Sequence, residues 1–238
     1  MQFLYETEAG DYRDFASGRV LRNAPGTTAF PVRLTSEILF RCRALIGKKT
    51  ELTIYDPCCG GAHMLTAAGF LHGRSITTIV GSDVNSSVVP IAKSNVSLLT
   101  REGLEDRKQQ LQAFFDEFQK SAHREALESI ERLEQLQQKA GPFHSLQAFD
   151  HDITTSPPSV EGVNIIIADL PYGNTVDWQT TEDEPLHQML QNIYETLDPD
   201  QSVVALISDK KQQTEHRYYE RVKALKHGKR KITLLKPR

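Results

Sequence analysis

An α/β fold, in which helices cover both faces of a mainly parallel sheet, is predicted by two observations. Short β-branched apolar runs alternate with helix-like segments along the 238 residues, which is the order that crossover helices between parallel strands require. Apolar residues make up 39% of the chain, enough for a core on each face of a central sheet. We therefore expect one large domain, residues 1–238, with a helical or lid-like segment at residues 1–50.

The individual elements follow in chain order. The run LTIY, Leu52 to Tyr55, indicates a short buried strand, and a glycine turn and a helix starting near Ala62 come after it. The β-branched run Ile76 to Gly81 indicates a second strand, and the helix after it holds Pro90 in its first turn. Later apolar runs predict three further strands, at residues 163–168, 203–207 and 232–235. The final antiparallel hairpin of such a sheet is not evident.

An oversized polar stretch, Arg101 to Lys139, interrupts this alternation. Its only glycine is Gly103, it lacks proline, and apolar residues recur through it at helical spacing. The stretch therefore predicts one or two amphipathic helices inserted into the domain. They serve either as a packing lobe or as a surface that grips a partner or substrate.

Positive charge is concentrated at the end of a chain whose net charge is −3. After residue 207, eleven Lys and Arg residues face three acidic ones. Such a segment indicates contact with a polyanion, because neutralising phosphates is the sequence-independent part of nucleic-acid binding. The alternative is a solvated helix face.

Several classes of protein are disfavoured. No apolar run is long enough to cross a membrane, and the polar, acidic start is unlike a secretory signal. Three cysteines, two of them adjacent (Cys58 and Cys59), form neither a disulfide framework nor a zinc site. We therefore expect a cytoplasmic protein without a metal ion, present as a monomer.

The first group of residues that carries chemistry is DPCCGGAHM, Asp56 to Met64, between the first strand and its helix. Gly60 and Gly61 allow a tight turn and a close approach of backbone to ligand. Asp83 ends the next strand, where a carboxylate can accept both ribose hydroxyls; it could also simply cap a helix. The loop lacks the pyrophosphate pattern G-x-G-x-x-G, so a cationic or zwitterionic ligand suits it better. S-adenosylmethionine meets that description.

The second group is ADLPYG, Ala168 to Gly173, after the clearest strand. The carboxylate of Asp169 and the carbonyl of Leu170, held by Pro171, can accept the two N–H bonds of an exocyclic amine and aim its lone pair at a methyl carbon. Tyr172 can stack on a flat base. Positioning in line with the sulfonium supplies most of the remaining acceleration. The motif therefore predicts methylation of an exocyclic amino nitrogen.

In their order, DPCCGG, SDVN and DLPYG resemble the class I methyltransferases, which have a Rossmann-like fold. The resemblance extends to the avilamycin-resistance 23S rRNA methyltransferases of the AviRa type through APGTTAFPVRLTSEI, AKSNVSLL, Trp178 and VKALK. It covers nearly the whole chain. It implies methylation of a guanine in large-subunit ribosomal RNA and resistance to orthosomycin antibiotics.

Carried over by position, the resemblance assigns two sets of residues. The residues expected at the cofactor are Asp56, Pro57, Cys58, Gly60, Gly61, Asp83, Val84 and Asp150, with Asp152 competing with Asp150 for the adenine. Those expected at the target base are Asp169, Leu170, Pro171 and Tyr172. The residues expected to contact RNA rest on charge and position in the chain rather than on the resemblance. They are Trp178, Arg22, Arg33, Lys210, Lys211, Arg217, Arg221, Lys229, Arg230 and Lys231.

Some alternatives stay open at this stage. Trp178 either shapes the base pocket or anchors a loop, and the segment around Arg22 and Arg33 either contacts RNA or forms a structural lid over the cofactor. Ala62 stands where the family usually has a glycine, and it fits if its dihedral angles are already helical. The rival functions are adenine-N6 or protein glutamine methylation, a catalytically silent RNA-binding module, and a protein that dimerises through the insertion.

Overall fold

A computed structural model describes residues 1–26, 29–171, 178, 180 and 184–238. Seven strands form one sheet: β1 (Leu52–Asp56), β2 (Ile76–Asp83), β3 (Ser145–Asp150), β4 (Ile165–Asp169), β5 (Val203–Asp209), β6 (Tyr219–His227) and β7 (Arg230–Pro237). The helices are α1 (Val32–Ile46), α2 (His63–His72), α3 (Val89–Ser97), α4 (Arg101–Phe118), α5 (Ser121–Ala140) and α6 (Pro185–Tyr194), with a short 3₁₀ helix at Arg13–Phe15.

The sheet order is β3-β2-β1-β4-β5-β7-β6. Strands β1 to β5 are parallel, and β7 runs antiparallel to both of its neighbours. The predicted α/β class with a mainly parallel sheet is confirmed. The strand order reverses between β1 and β4, and sheets of this kind bind ligands at the carboxyl ends of the strands beside such a reversal.

Alternate residues of the central strands face two separate apolar layers. In β4, Ile165 and Ile167 pack into the layer that contains α1 and α2, whereas Ile166 packs into the layer that contains α6. This alternation follows from the two-residue repeat of a strand. Because both faces are covered, β4 has no polar face, which is why its sequence is continuously apolar.

The predicted helical insertion consists of two helices, α4 and α5, between α3 and β3. Gln119, with φ of 50°, ends α4, so the chain turns back within two residues. Leu104 and Leu111 of α4 are buried, but Phe114 and Phe118 are exposed. The apolar stripe is therefore not buried over the last two turns of α4, which extend beyond the core.

The basic end of the chain forms the β6–β7 hairpin, so the helical alternative is wrong. Strand β6 lies at the edge of the sheet, and most of its residues are exposed. Lysines on an edge strand also oppose unwanted pairing with other chains. Within the described part of the chain, no helix combines the length and apolar character needed to cross a bilayer.

A buried carboxylate holds the first residues of the chain against α1. The two carboxylate oxygens of Glu37 accept hydrogen bonds from the backbone N–H groups of Leu4, Tyr5 and Glu6 at 2.9–3.0 Å. Its Oε1 also accepts the Nε–H of Arg41 at 2.7 Å. Burial opposes ionisation, but these donors outweigh it and lower the pKa of Glu37.

We expect Glu37→Gln to lower the free energy of unfolding by about 3 kcal/mol at pH 7, because it leaves Arg41 and backbone donors poorly paired. Since the folded-state pKa is lowered, this contribution is present above the ordinary carboxyl pKa of 4.5 and is lost as pH falls below it. Urea unfolding between pH 7 and pH 3 measures both effects. The exposed Glu161→Gln is the control, and equal stabilities of the two variants at pH 7 would contradict the assignment.

Candidate active site

A cavity of about 550 Å³ opens at the carboxyl ends of β1, β2 and β4. Its floor is the segment Asp56 to Gly61, and its walls come from the loops after β2, β3 and β4. Residues Ala24 to Gly26 and Ala29 to Phe30 of the N-terminal segment form another wall. The cavity therefore lies beside the reversal of strand order.

Carboxylates from three strands line this cavity. Asp56, Asp83 and Asp169 end β1, β2 and β4, which are neighbours in the sheet. Asp83 lies two residues beyond Gly81, the partner of Asp56 in the β1–β2 register. The parallel register thus brings together three acids that are far apart in the sequence.

Asp83 also fixes the glycine turn. Its Oδ2 accepts the N–H of Gly60 at 2.8 Å, and its Oδ1 accepts the N–H of Asn85 at 2.9 Å. A carboxylate has about four acceptor positions, so each oxygen can still accept from a ligand. The sequence-based alternative, a carboxylate that serves only as a helix cap, does not account for the bond to Gly60.

The turn itself requires small residues. Gly60 has φ of 51°, and a Cβ on Gly61 would lie 2.8 Å from the Cβ of Ala24. Ala62 has φ of 55° and ψ of 27°, which is left-handed. The condition that Ala62 already has helical dihedral angles is therefore not met, and the turn stores about 1 kcal/mol of strain there.

The carboxylates make the cavity electronegative. Burial, together with the charges of Asp169 and Asp83, raises the pKa of Asp56 well above its usual value. Burial and the same acids also raise the pKa of the Cys58 thiol. Cys58 is therefore a neutral thiol and a poor nucleophile. The described residues contain no group of His, Cys, Asp and Glu side chains suited to a metal ion.

Asn95 on α3, which the sequence analysis did not single out, holds the N-terminal segment over the glycine turn. Its Nδ2 donates to the carbonyls of Arg22 at 2.9 Å and Gly61 at 2.7 Å, and its Oδ1 accepts the N–H of Arg22 at 2.7 Å. Asn95 is fully buried. A polar residue on the apolar side of the predicted helix was the available signal, since buried amides are normally hydrogen-bonded.

The residues predicted to hold the cofactor converge, with one exception. Those that line the cavity are Asp56, Pro57, Cys58, Gly60, Gly61, Asp83 and Val84. Asp150 ends β3 but is exposed and does not line the cavity. Asp152, two residues further on, does line it, and its Oδ1 accepts the N–H of Thr154 at 2.9 Å.

Three of the four residues predicted to hold the target base lie within the described structure. Asp169, Leu170 and Pro171 line the cavity, and the N–H of Leu170 donates to the carbonyl of Ile207 at 2.9 Å. Trp178 also lines the cavity, which favours the base pocket over a remote loop anchor. Tyr172 lies outside the described residues.

The predicted RNA-contacting residues do not form one patch. Arg22 and Arg230 line the cavity. Lys210, Lys211 and Lys229 are exposed. They lie near the carboxyl end of β5, because β7 pairs Arg230 with Asp209 there. The side chain of Lys231 instead donates to the carbonyl of Gln212.

Three other predicted contacts lie elsewhere. The guanidinium of Arg33 donates to the carbonyls of Glu6 and Thr7 and covers the ring of Phe3 at 4.1 Å, so it stabilises the N-terminal segment. Arg217 and Arg221 line a separate cavity beside α6. The antiparallel hairpin separates these groups, and the sequence analysis did not find it.

Comparison with known proteins places the chain in a family. The family described as rRNA methyltransferase AviRa matches residues 1–230. The chain belongs to the AviRa family of rRNA methyltransferases. A relative from Streptomyces viridochromogenes, named 23S rRNA (guanine(2535)-N(1))-methyltransferase, is 30% identical over 98% of this chain and 95% of its own length. That name puts the methyl group on N1, a ring nitrogen, whereas the sequence analysis predicted an exocyclic amine.

Solved structures agree with this membership. The rRNA methyltransferase AviRa from Streptomyces viridochromogenes superposes with a TM-score of 0.85 at 28% identity, over 99% of this chain and 96% of that one. TrmN from Thermus thermophilus superposes with a TM-score of 0.53 at 12% identity, over 88% of this chain and 50% of its own, which shows the fold alone. The fold is therefore the Rossmann-like fold of class I methyltransferases, and the chain is an rRNA methyltransferase.

We expect Asp56→Asn to raise the free energy of unfolding by about 0.5–2 kcal/mol at pH 8, the usual gain when active-site strain is relieved. Asparagine can still accept the N–H of Cys58, which Asp56 Oδ1 now accepts at 3.0 Å. Because the folded-state pKa of Asp56 is raised, the native enzyme loses stability as pH rises above the ordinary carboxyl range, and the variant does not. Melting temperatures from pH 5 to pH 8 measure the widening difference. The control is the exposed Asp150→Asn, and a lower melting temperature of Asp56→Asn at pH 8 would refute this account.

Proposed function

We propose that this protein transfers the methyl group of S-adenosylmethionine to N1 of a guanine in 23S ribosomal RNA. The observation that carries the proposal is the convergence of Asp56, Asp83 and Asp169 on one cavity beside a glycine turn. The name of the relative supplies the target base and atom. N1 replaces the exocyclic amine that the sequence analysis predicted.

The residues present suit S-adenosylmethionine. A side chain on Gly61 would collide with Ala24, so Gly60 and Gly61 line the cavity with backbone alone. The surrounding carboxylates favour a ligand that carries ammonium and sulfonium charges. When bound, this cofactor supplies a methyl group activated by positive sulfur. Asp83 would accept the ribose hydroxyls, and the apolar side chain of Val84 would cover the adenine. We assign the adenine contact to Asp152 rather than to Asp150.

Asp169 suits the Watson–Crick edge of guanine, where the N1–H and 2-amino donors lie side by side. One carboxylate can accept both, which identifies guanine. The N1 proton must leave first, because the methyl group takes its place in the plane of the ring. We assign its acceptance to Asp169. The deprotonated N1 would take the methyl group that the bound cofactor supplies, and Asp169 would pass the proton to solvent.

RNA would enter over the basic rim of the cavity. Arg22 and Arg230 line it directly, with Arg230 5.4 Å above the ring of Phe30. Lys210, Lys211 and Lys229 near the same edge would contact backbone phosphates. The guanine must leave its stack to reach Asp169, and Trp178 would then cover the flat base.

The N-terminal segment would cover the bound cofactor. Asn95 fixes it at Arg22, and Ala24 to Gly26 and Phe30 already form a wall of the cavity. We therefore propose residues 1–50 as a structural lid of the same domain. A ribosomal RNA substrate further supports action in the cytoplasm, and the resemblance to avilamycin-resistance enzymes extends the proposal to orthosomycin resistance.

Calorimetric titration with S-adenosylmethionine tests the cofactor site. We expect Asp83→Asn to weaken binding about 10–100-fold, because it removes charge and loosens the contact with Gly60. Asp150→Asn, at the end of the neighbouring strand but outside the cavity, should bind like the native enzyme. Equal affinities of both variants would support a catalytically silent module instead.

Mass mapping of 23S rRNA from cells with and without the protein tests the reaction. We expect one additional methyl group on guanine N1, and we expect Asp169→Asn to reduce kcat about 10²–10⁴-fold while cofactor binding persists. A methyl group on adenine N6, or on the guanine 2-amino group, would overturn the assigned target atom. Methylation of protein glutamine alone would overturn the substrate class.

A further inference from the structure

A second cavity, of about 480 Å³, lies between α6 and the segment that leads into β6. Its polar lining consists mainly of basic groups: His187, His216, Arg217, Arg221 and Arg238. One carboxylate, Glu215, is also present, and Arg221 pairs with it at 3.2 Å. The remaining guanidinium groups give this cavity a net positive charge, in contrast to the electronegative cofactor cavity.

His216 presents a buried donor that has no acceptor among the described residues. Its Nδ1 accepts the N–H of Tyr218 at 3.2 Å, so the hydrogen of the neutral ring resides on Nε2. His216 is only 8% exposed, and no described residue hydrogen-bonds to its Nε2. A buried N–H of this kind is costly unless an acceptor completes it.

The neighbours of His216 offer further donors. The imidazole rings of His187 and His216 have centroids 4.3 Å apart. The guanidinium of Arg217 is held 4.7 Å above the ring of Tyr218 and donates to its hydroxyl at 2.9 Å. That single contact leaves several of the five N–H donors of Arg217 for a ligand. These donors therefore favour an anionic ligand that accepts hydrogen bonds without donating them, as a phosphodiester does.

The position of this cavity connects it to the target base. Helix α6 follows the segment that carries Asp169 to Pro171, and Leu186 in its first turn packs in the same apolar layer as Leu170. His187 is the next residue. An RNA strand held at His187 would thus lie on the helix that follows the base-binding motif.

From this arrangement we propose that the second cavity binds a backbone phosphate of the RNA substrate, at a distance from the flipped guanine. The proposal rests on the proposed function, because it takes ribosomal RNA as the substrate. The enzyme would then contact the RNA at two places. Arg22 and Arg230 would contact it at the cofactor cavity, and Arg217 and Arg238 at the second cavity. Such a contact would fix the register of the RNA on the enzyme.

The test compares two double variants that remove equal charge. The double variant Arg217→Gln with Arg238→Gln alters the cavity. The double variant Lys223→Gln with Lys236→Gln removes two cations of the β6–β7 hairpin that do not line the cavity. Affinity for a large-subunit rRNA transcript is measured between 50 and roughly 200 mM salt, the range over which phosphate contacts dominate. The cavity variant should bind about tenfold more weakly, with a salt slope smaller by roughly 1–2.

Steady-state kinetics and NMR separate the possible causes. The cavity variant should raise KM for RNA and leave kcat at saturating RNA unchanged, because the reacting groups are intact. Inorganic phosphate should shift the imidazole signal of His216 saturably in the native protein and not in the cavity variant. If phosphate binds there while both double variants bind RNA equally well, the cavity holds free phosphate and the proposal is wrong.

If the proposed function is wrong, the same experiments give a different set of results. In that case the native protein itself neither binds nor methylates the transcript, although cofactor and phosphate titrations proceed normally. If the native protein methylates the RNA and both double variants match in affinity and salt slope, only the second cavity has been assigned wrongly. Melting temperatures of the two variants within about 2 °C of the native protein exclude unfolding as the cause.

Discussion

The hydrogen bond from the backbone of Gly60 to the carboxylate of Asp83 is the contact on which the site depends. It joins the loop after β1 to the end of β2, and so it sets the shape of the turn and the position of the carboxylate together. Parallel strands make this possible because their carboxyl ends meet at one edge of the sheet. The third acid, Asp169, reaches the same cavity from β4 for the same reason.

This arrangement costs stability at the site that we propose as functional. Asp56 is a buried carboxylate near two other acids, and Ala62 has left-handed dihedral angles that disfavour a side chain. Both features lie in the turn that would hold the cofactor, and strain of this kind is typical of binding sites. The surrounding structure offsets it through bonds that fix the N-terminal segment, chiefly those of Glu37 and Asn95. The N-terminal segment, which we propose as a lid, is thus part of the fold rather than an appendage to it.

Much of the fold, and most of the residues that line the cavity proposed for the cofactor, could be predicted because the signals are local. A strand that ends in an acid, followed by a glycine pair and a helix, fixes the relation of Asp56 to Gly60 within a few residues. Asp150 shows the limit of such reasoning, because it does not line the cavity. Two acids on either side of His151 are equivalent in the sequence, and only the course of the chain after β3 directs Asp152 into the cavity.

The sequence by itself determined the strand–turn–helix units, the acids at the strand ends and the family, because each depends on residue types close together in the chain. The tertiary structure decided which distant groups meet. The β6–β7 hairpin carries Arg230 to the cavity proposed for the cofactor and leaves Arg217 beside α6, so one run of positive charge becomes two separate surfaces. The pairing of edge strands depends on long-range backbone hydrogen bonds and on the twist of the whole sheet, neither of which a local pattern of residues records.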